Sequence, residues 1–225
     1  MCNRYSIIIP VYNEIILLPK LLKSLHDFHV KKNEIIIVDD GSDDGSSLVL
    51  KECSFINLIT LKSNRGKGVA IRTGLSIAKY NSVLIFDSDL EIPTSEIKKL
   101  MILDRNKNIN SVLGYRYRHL KPLSSGIDWG NFIFTTFFNI SFGTNHKDVL
   151  CCAKSFYLDK IDYKKLKSDG FSIDVEIISI LSILNKNIKQ IRMDYVRRGK
   201  TEGKKLSISN GWGILFRIVK MIKYF

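Results

Sequence analysis

Cysteine and histidine are scarce, with four of each among 225 residues. Cys2, Cys53, Cys151 and Cys152 include a vicinal pair and no repeated spacing, and the histidines fall without zinc-site intervals. A disulfide framework and a structural zinc module are thereby excluded, and the pattern reads as reduced thiols in a cytoplasmic protein. Only four prolines and 14 glycines interrupt the chain, too few for a collagenous or low-complexity segment. No run reaches the ~18 uninterrupted apolar residues of a membrane span, and no internal repeat or linker is visible. Nothing resembling a signal-peptide core precedes Ile7-Ile8-Ile9-Pro10, so export is not expected.

What the chain does have is a core and a charge. Hydrophobic residues make up 45% and charged residues 25%, which suits one large α/β domain with an appendage. The net charge is +13, pointing to a polyanionic partner: nucleic acid, a phosphorylated substrate or an anionic lipid surface. Most of the excess lies from Lys189 onward, where ten basic residues face only Asp194 and Glu202.

Over the first 115 residues, short β-branched runs alternate with segments of helical period, the pattern of a parallel sheet with crossover helices. Strands are expected at Tyr5 to Ile9, Glu34 to Val38, Ile56 to Leu61, Ser82 to Phe86 and Ser111 to Tyr115. Leu17, Leu18, Leu21, Leu22 and Leu25 recur at helical spacing, as do Val69, Ile71, Leu75 and Ala78. An aromatic-rich stretch from Trp129 to Phe142 follows, then an expected strand near Val149 to Tyr157. A helix from about Ile173 to Leu184, a strand near Ile188 to Val196, a basic loop and a terminal helix complete the reading.

The first four strands end in polar loops, and open α/β sheets bind ligands beyond the carboxyl ends of their strands. The loops are Pro10-Val11-Tyr12-Asn13-Glu14, Asp39-Asp40-Gly41-Ser42, Asn64-Arg65-Gly66-Lys67-Gly68 and Asp87-Ser88-Asp89-Leu90-Glu91. Asp87 and Asp89 crowd two like charges at one strand end. A hard divalent cation would relieve that repulsion, with Glu91 as a possible third oxygen ligand; the plainer reading is a cap for the helix that follows. The glycines and basic residues around Lys67 open a helix whose N-terminus could hold a phosphate. No Ser or Thr follows Lys67, so this is no Walker loop, and no G-x-G-x-x-G follows the first strand.

Together, Ile9 to Glu14, Val38 to Ser42, Asn64 to Gly68 and Asp87 to Asp89 resemble the family 2 glycosyltransferases in order and spacing. The resemblance is strongest to the dolichol-phosphate mannose and glucose synthases and their bacterial polyprenyl-phosphate relatives. It implies a GT-A fold: an α/β domain with a mainly parallel central sheet flanked by helices, here with a C-terminal amphipathic helix. It further implies that Pro10, Tyr12, Glu14 and Asp40 frame a nucleotide base while Asp39 supports that loop. Lys67 and Asp87 join the nucleotide site, and Asp87, Asp89 and Glu91 hold Mg²⁺ or Mn²⁺ on the diphosphate. Arg116 aligns with a Gly-Ser-Arg element that touches phosphates.

The resemblance continues more loosely through Asp148-Val149-Leu150-Cys151-Cys152-Ala153-Lys154-Ser155-Phe156, where Cys152 stands at a glycine position, and through Phe171-Ser172-Ile173-Asp174-Val175-Glu176. Asp174 and Asp89 are the catalytic candidates. An acceptor hydroxyl would need Asp174 as a base, whereas a lipid phosphate, already anionic, mainly needs positioning; Asp174 and Glu176 also suit a helix cap. Arg198 and Lys204, in the loop Arg197 to Lys205, are candidate phosphate or acceptor contacts.

Residues 1–206 are read as the catalytic domain, with 1–116 for the donor and 117–206 for the acceptor. Residues 207–225 form a basic amphipathic helix with Leu215, Ile218, Val219 and Ile222 on its apolar side, suited to a membrane interface or to packing on the domain. The expected activity is metal-dependent, inverting transfer from a UDP- or GDP-sugar to a polyprenyl phosphate. The protein is expected to sit peripherally on the cytoplasmic membrane face, without nucleic acid as partner. Alternatives are transfer to a saccharide or glycolipid hydroxyl, a degenerate scaffold of the same fold, and a nucleic-acid-binding module.

Overall fold

The computed structural model describes residues 3–116, 126–184, 187–197 and 209–223, with the backbone alone at 126–128 and 209–210. Seven strands form one sheet in the order β3-β2-β1-β4-β6-β5-β7. They are β1 (Tyr5–Val11), β2 (Glu34–Asp39), β3 (Asn57–Thr60), β4 (Ser82–Ile85), β5 (Ser111–Tyr115), β6 (Lys154–Tyr157) and β7 (Lys189–Arg192). The helices are α1 (Leu18–Val30), α2 (Ser46–Lys51), α3 (Lys67–Ile77), α4 (Ile97–Leu100), α5 (Gly126–Phe142), α6 (Ile173–Leu184) and α7 (Ser209–Ile222).

Strands β1 and β2 are nearly continuous β-branched runs because both faces of the sheet are covered. Ile7, Ile9, Ile35 and Ile37 pack with Leu18, Leu21 and Leu25 of α1 on one side. Ile8, Ile36 and Val38 pack with α3 and α6 on the other. The strand expected over Val149 to Tyr157 is confined to its last four residues, and that near Ile188 to Val196 to Lys189–Arg192. The aromatic stretch is the helix α5. Phe138 is fully buried and stacks on Phe142 with centroids 4.4 Å apart.

Two features of topology position the site. The chain winds from β1 outward through β2 to β3, then crosses to β4 on the other side of β1, so the crevice lies at the reversal between β1 and β4. Strand β6 runs antiparallel between β4 and β5, with Lys154 opposite Ile85. Its start therefore lies at the edge where the parallel strands end.

Helix α7 packs against the domain. Ile214, Ile218 and Met221 are buried in the same cluster as Ile8 and Phe138. Of the residues read as one apolar side, Ile218 faces inward. Trp212, Phe216, Val219 and Ile222 form the outward side instead. No helix of the described residues is long and apolar enough to cross a membrane.

Candidate active site

The loops after β1 and β2 are stitched together before any ligand arrives. Asn13 adopts a left-handed backbone (φ 50°), tolerable for Asn. Its side chain donates to Asp43 Oδ1 at 2.8 Å and accepts from Asp43 N at 3.0 Å. The Glu14 and Ile15 amides donate to Ser46 Oγ and Asp44 Oδ2, each at 3.0 Å. Gly41, at φ +72°, brings the β2 loop against Ser63, where a Cβ would lie 2.5 Å from a backbone carbon. Glycine is required there twice over.

Asp40 is a clamp within this frame. Its two carboxylate oxygens accept from Arg65 N and Gly66 N, both at 2.8 Å. Burial pushes the carboxyl up, and those two bonds offset only part of the rise. Asp39 Oδ1 accepts from Ser42 N at 3.0 Å, while its buried Oδ2 has no hydrogen-bond partner among the described residues. Pro10 lies inside β1 opposite Val38, Glu14 is buried, and Tyr12 is half-buried just past the strand end.

The N-terminus of α3, expected to cradle a phosphate, is already occupied by protein. The Asp169 carbonyl accepts from Gly68 N at 2.6 Å and Val69 N at 3.3 Å. The segment around it presses so closely that a Cβ on Gly68 would stand 2.0 Å from Ser168 O, and one on Gly66 2.4 Å from Asp169 O. Arg72 fastens the same segment through Ser168 O and, at 2.5 Å, Asp169 Oδ1. The glycines of Gly66-Lys67-Gly68 thus serve packing by a strap, residues 166–171, and the basic side chain alone faces the crevice edge.

That side chain joins a four-membered charge cluster. Lys67 Nζ lies 2.8 Å from Asp87 Oδ1 and 2.9 Å from Asp174 Oδ2, and Lys154 Nζ pairs with Asp174 Oδ1. Burial would lower Lys67, but Asp174 and Asp87 outweigh it and hold the ammonium well above its ordinary range. Burial would likewise raise Asp174, but Lys154 and Lys67 bring its carboxyl down to about 2. Two ammoniums balance two carboxylates, which is what permits Lys154 to sit at 0% exposure in a central strand. Lys154 had no role in the sequence reading. A lysine between Ala153 and Ser155-Phe156 in a buried strand was the signal, since such a charge demands a counter-ion.

Asp87 and Asp89 lie half-buried at the end of β4, but Glu91 is turned to another task. Its Oε2 accepts from the Tyr195 hydroxyl at 2.9 Å and its carbonyl from Val196 N at 2.8 Å, tying down the segment that leaves β7. Among the described residues no group of three His, Cys, Asp or Glu converges as a metal site. Of the expected Asp87, Asp89 and Glu91 set, Glu91 is engaged by Tyr195 here, while Asp87 and Asp89 stand as a pair of carboxylates at the end of β4. Such a pair fits Mg²⁺ or Mn²⁺, which commonly take one or two carboxylates and complete their shell with substrate phosphates and water.

Arg116 pairs with Asp148 through Nε at 2.8 Å and a second nitrogen at 3.0 Å, a bidentate pair beneath the Tyr195 ring. Arg198 and Lys204 lie outside the described residues. Cys152 is buried and absent from the positive-φ residues, so its backbone does not require the glycine of the resembled motif.

Comparison with known proteins agrees with this architecture. The family model for glycosyl transferase family 2 matches residues 6–163. An undecaprenyl-phosphate 4-deoxy-4-formamido-L-arabinose transferase of Proteus mirabilis is 39% identical over 108 residues, 44% of this chain and 33% of that one. The chain thus spans about a third of the length of such transferases. An uncharacterised protein of Methanocaldococcus jannaschii is 30% identical over 205 residues, 84% of this chain and 85% of that one. A dolichyl-phosphate beta-glucosyltransferase of Dictyostelium discoideum is 27% identical over 229 residues, 89% of this chain and 68% of that one. Glucosyl-3-phosphoglycerate synthase of Mycobacterium tuberculosis, solved with Mn²⁺, UDP and glucosyl-3-phosphoglycerate, superposes with a TM-score of 0.73 at 14% identity, covering 98% of this chain and 80% of that one. The shared fold is GT-A.

Proposed function

The chain belongs to glycosyl transferase family 2, and from that premise we propose that it moves a sugar from a UDP- or GDP-linked donor onto a polyprenyl phosphate at the cytoplasmic face of a membrane. The observation that carries the choice of acceptor is the state of Asp174. An acceptor hydroxyl must lose its proton to a base, and a useful base titrates near the working pH. Asp174 is buried between Lys67 and Lys154 and held down to about 2. A phosphate monoester, with its second pKa at about 6, needs no such base. The names of the bacterial and Dictyostelium relatives, which specify undecaprenyl and dolichyl phosphate, support the same acceptor class.

In this reading a phosphate oxygen of the acceptor forms a bond to the anomeric carbon as the bond from that carbon to the nucleoside diphosphate breaks. A single displacement inverts the configuration. Lys67, fixed by Asp87 and Asp174, keeps a cation beside the acidic motif where charge develops on the departing diphosphate. Asp87 and Asp89 would hold Mg²⁺ or Mn²⁺, which when bound would neutralise part of that charge.

The outward side of α7 suits an anionic bilayer. Trp212 and Phe216 are 76% and 68% exposed, Val219 and Ile222 continue the stripe, and Lys220 and Lys223 flank it. The neighbouring α5 exposes Trp129, Ile133 and Ile140. Apolar residues with tryptophan and adjacent lysines match the chemistry of a lipid interface.

The test is nucleotide release from UDP- and GDP-sugars with Mg²⁺ or Mn²⁺, with and without a short-chain polyprenyl phosphate, for the wild type and Asp89→Ala. Release that needs metal, Asp89 and lipid phosphate is expected. Release that responds to a saccharide and ignores the lipid would overturn the acceptor assignment.

A further inference from the structure

Arg217 is the residue of α7 that enters the domain as a charge. Its guanidinium lies 3.3 Å from Glu176 Oε1, and both side chains are largely buried. Glu176 in turn accepts from the backbone of the strap: Lys167 N at 3.0 and 3.2 Å and Ser168 N at 2.8 Å. One residue on, the Asp169 carbonyl holds Gly68 N and Val69 N at the start of α3. The residue between Gly66 and Gly68 is Lys67, whose ammonium joins Asp87 to Asp174. A continuous series of hydrogen bonds and ion pairs therefore runs from the C-terminal helix to the acidic motif.

We propose that Arg217 is a positioning residue for Lys67, acting through Glu176 and the 166–171 strap, so that its ion pair with Glu176, and not the packing of α7 in general, sets the geometry of the donor site. The donor half of this statement rests on the glycosyltransferase reading above; the mechanical half rests on the contacts alone. The middle of the series is enclosed: the Glu176 carboxylate is buried where it accepts from Ser168 N, and the Arg217 side chain that pairs with it is largely buried, so losing the guanidinium leaves a buried charge short of a partner. The close approach at Gly66 and Gly68 makes the strap a rigid spacer, because backbone there already touches backbone. Loss of the guanidinium leaves Glu176 as a buried charge that still binds two strap amides. It then draws in solvent, and the strap shifts with it. The acceptor-side helix α6 carries both Glu176 and Asp174, so the same displacement reaches Lys67 from two directions.

The experiment compares full-length wild type with Arg217→Met, Arg217→Lys and Ile218→Val. Methionine keeps the packing of the stem and removes the charge; Ile218→Val loosens α7 without touching Glu176. Hydrogen exchange in the absence of ligand should quicken about tenfold at Gly68, Val69, Lys167 and Ser168 in Arg217→Met, return toward wild type in Arg217→Lys, and stay unchanged at those amides in Ile218→Val. Titration with UDP or GDP in the presence of Mn²⁺ should show about fivefold weaker binding for Arg217→Met alone. In Glu176→Gln the further effect of Arg217→Met should vanish, as expected of two residues in one relay. Unchanged exchange at Gly68 and Val69 in Arg217→Met, or an equal rise in Ile218→Val, would overturn the relay. A wild type that binds neither nucleotide would overturn the donor reading, and the exchange comparison would still decide the relay.

Discussion

Lys67 Nζ stands 2.9 Å from Asp174 Oδ2 although 107 residues separate them in the chain. The contact joins the start of α3 to the start of α6. It also sets the charge of each group: Lys154 and Lys67 bring the Asp174 carboxyl down to about 2, and Asp174 and Asp87 hold the Lys67 ammonium well above its ordinary range.

Asp174→Asn is expected to destabilise the protein by about 3–5 kcal/mol, because it leaves Lys154 and Lys67 short of a buried counter-charge. Urea unfolding measures this directly. The folded carboxyl titrates near 2 and the unfolded one near 3.9, so the contribution is complete above about pH 4 and lost as pH falls toward 2. The variant should lack that acid limb. It should also weaken nucleotide binding together with turnover, whereas removal of a pure base would lower turnover alone.

Glu91 anchors a segment in this structure, which gives a sharp contrast with its neighbours. Glu91→Gln is expected to leave Mn²⁺ affinity within about twofold of wild type, while Asp89→Asn should lower it about tenfold or more. Mn²⁺ titration followed by electron paramagnetic resonance reads both. Tyr195→Phe removes the hydroxyl that Glu91 accepts from and should likewise spare the metal. An affinity loss in Glu91→Gln as large as in Asp89→Asn would place Glu91 in the ligand set.

The sheet and the location of the crevice were legible in the sequence because both depend on local signals. Strand β5 and helix α6 fall where periodicity puts them, and the polar loops do gather at the carboxyl edge. What the sequence could not disclose was partnership. Asp39 and Asp40 are adjacent and alike in chemistry, yet strand alternation sends one toward Ser42 and the other to the Arg65 and Gly66 amides. Gly66 and Gly68 read as a phosphate cradle because the strap that fills it lies about a hundred residues downstream. Glu91 continues an acidic motif by spacing, and only the fold brings Tyr195 to it.

Gly68→Ala tests the strap from the other side. The added Cβ would meet Ser168 O at 2.0 Å, a backbone atom that cannot rotate away. Overpacking of this sort costs about 1–3 kcal/mol, and thermal unfolding should show it together with weaker nucleotide binding. Gly213→Ala is the control. It lies in α7 with nothing within 4 Å of the added carbon, and alanine should stabilise the helix by up to about 1 kcal/mol.

The two sides of α7 predict opposite phenotypes for substitutions one or two residues apart. Phe216→Ser and Trp212→Ser alter exposed residues and should change stability by no more than about 0.5 kcal/mol. Both should reduce sedimentation with vesicles containing anionic lipid. Lys220→Gln with Lys223→Gln should reduce it further at low salt and little at high salt, since each lysine near a charged surface contributes about 1 kcal/mol. Ile218→Ala, by contrast, empties a fully buried position and should cost about 2–5 kcal/mol while leaving the outward side chains in place. If Trp212→Ser and Phe216→Ser bind vesicles as the wild type does, the exposed stripe is not a lipid-docking face, and membrane contact must come from elsewhere on the protein.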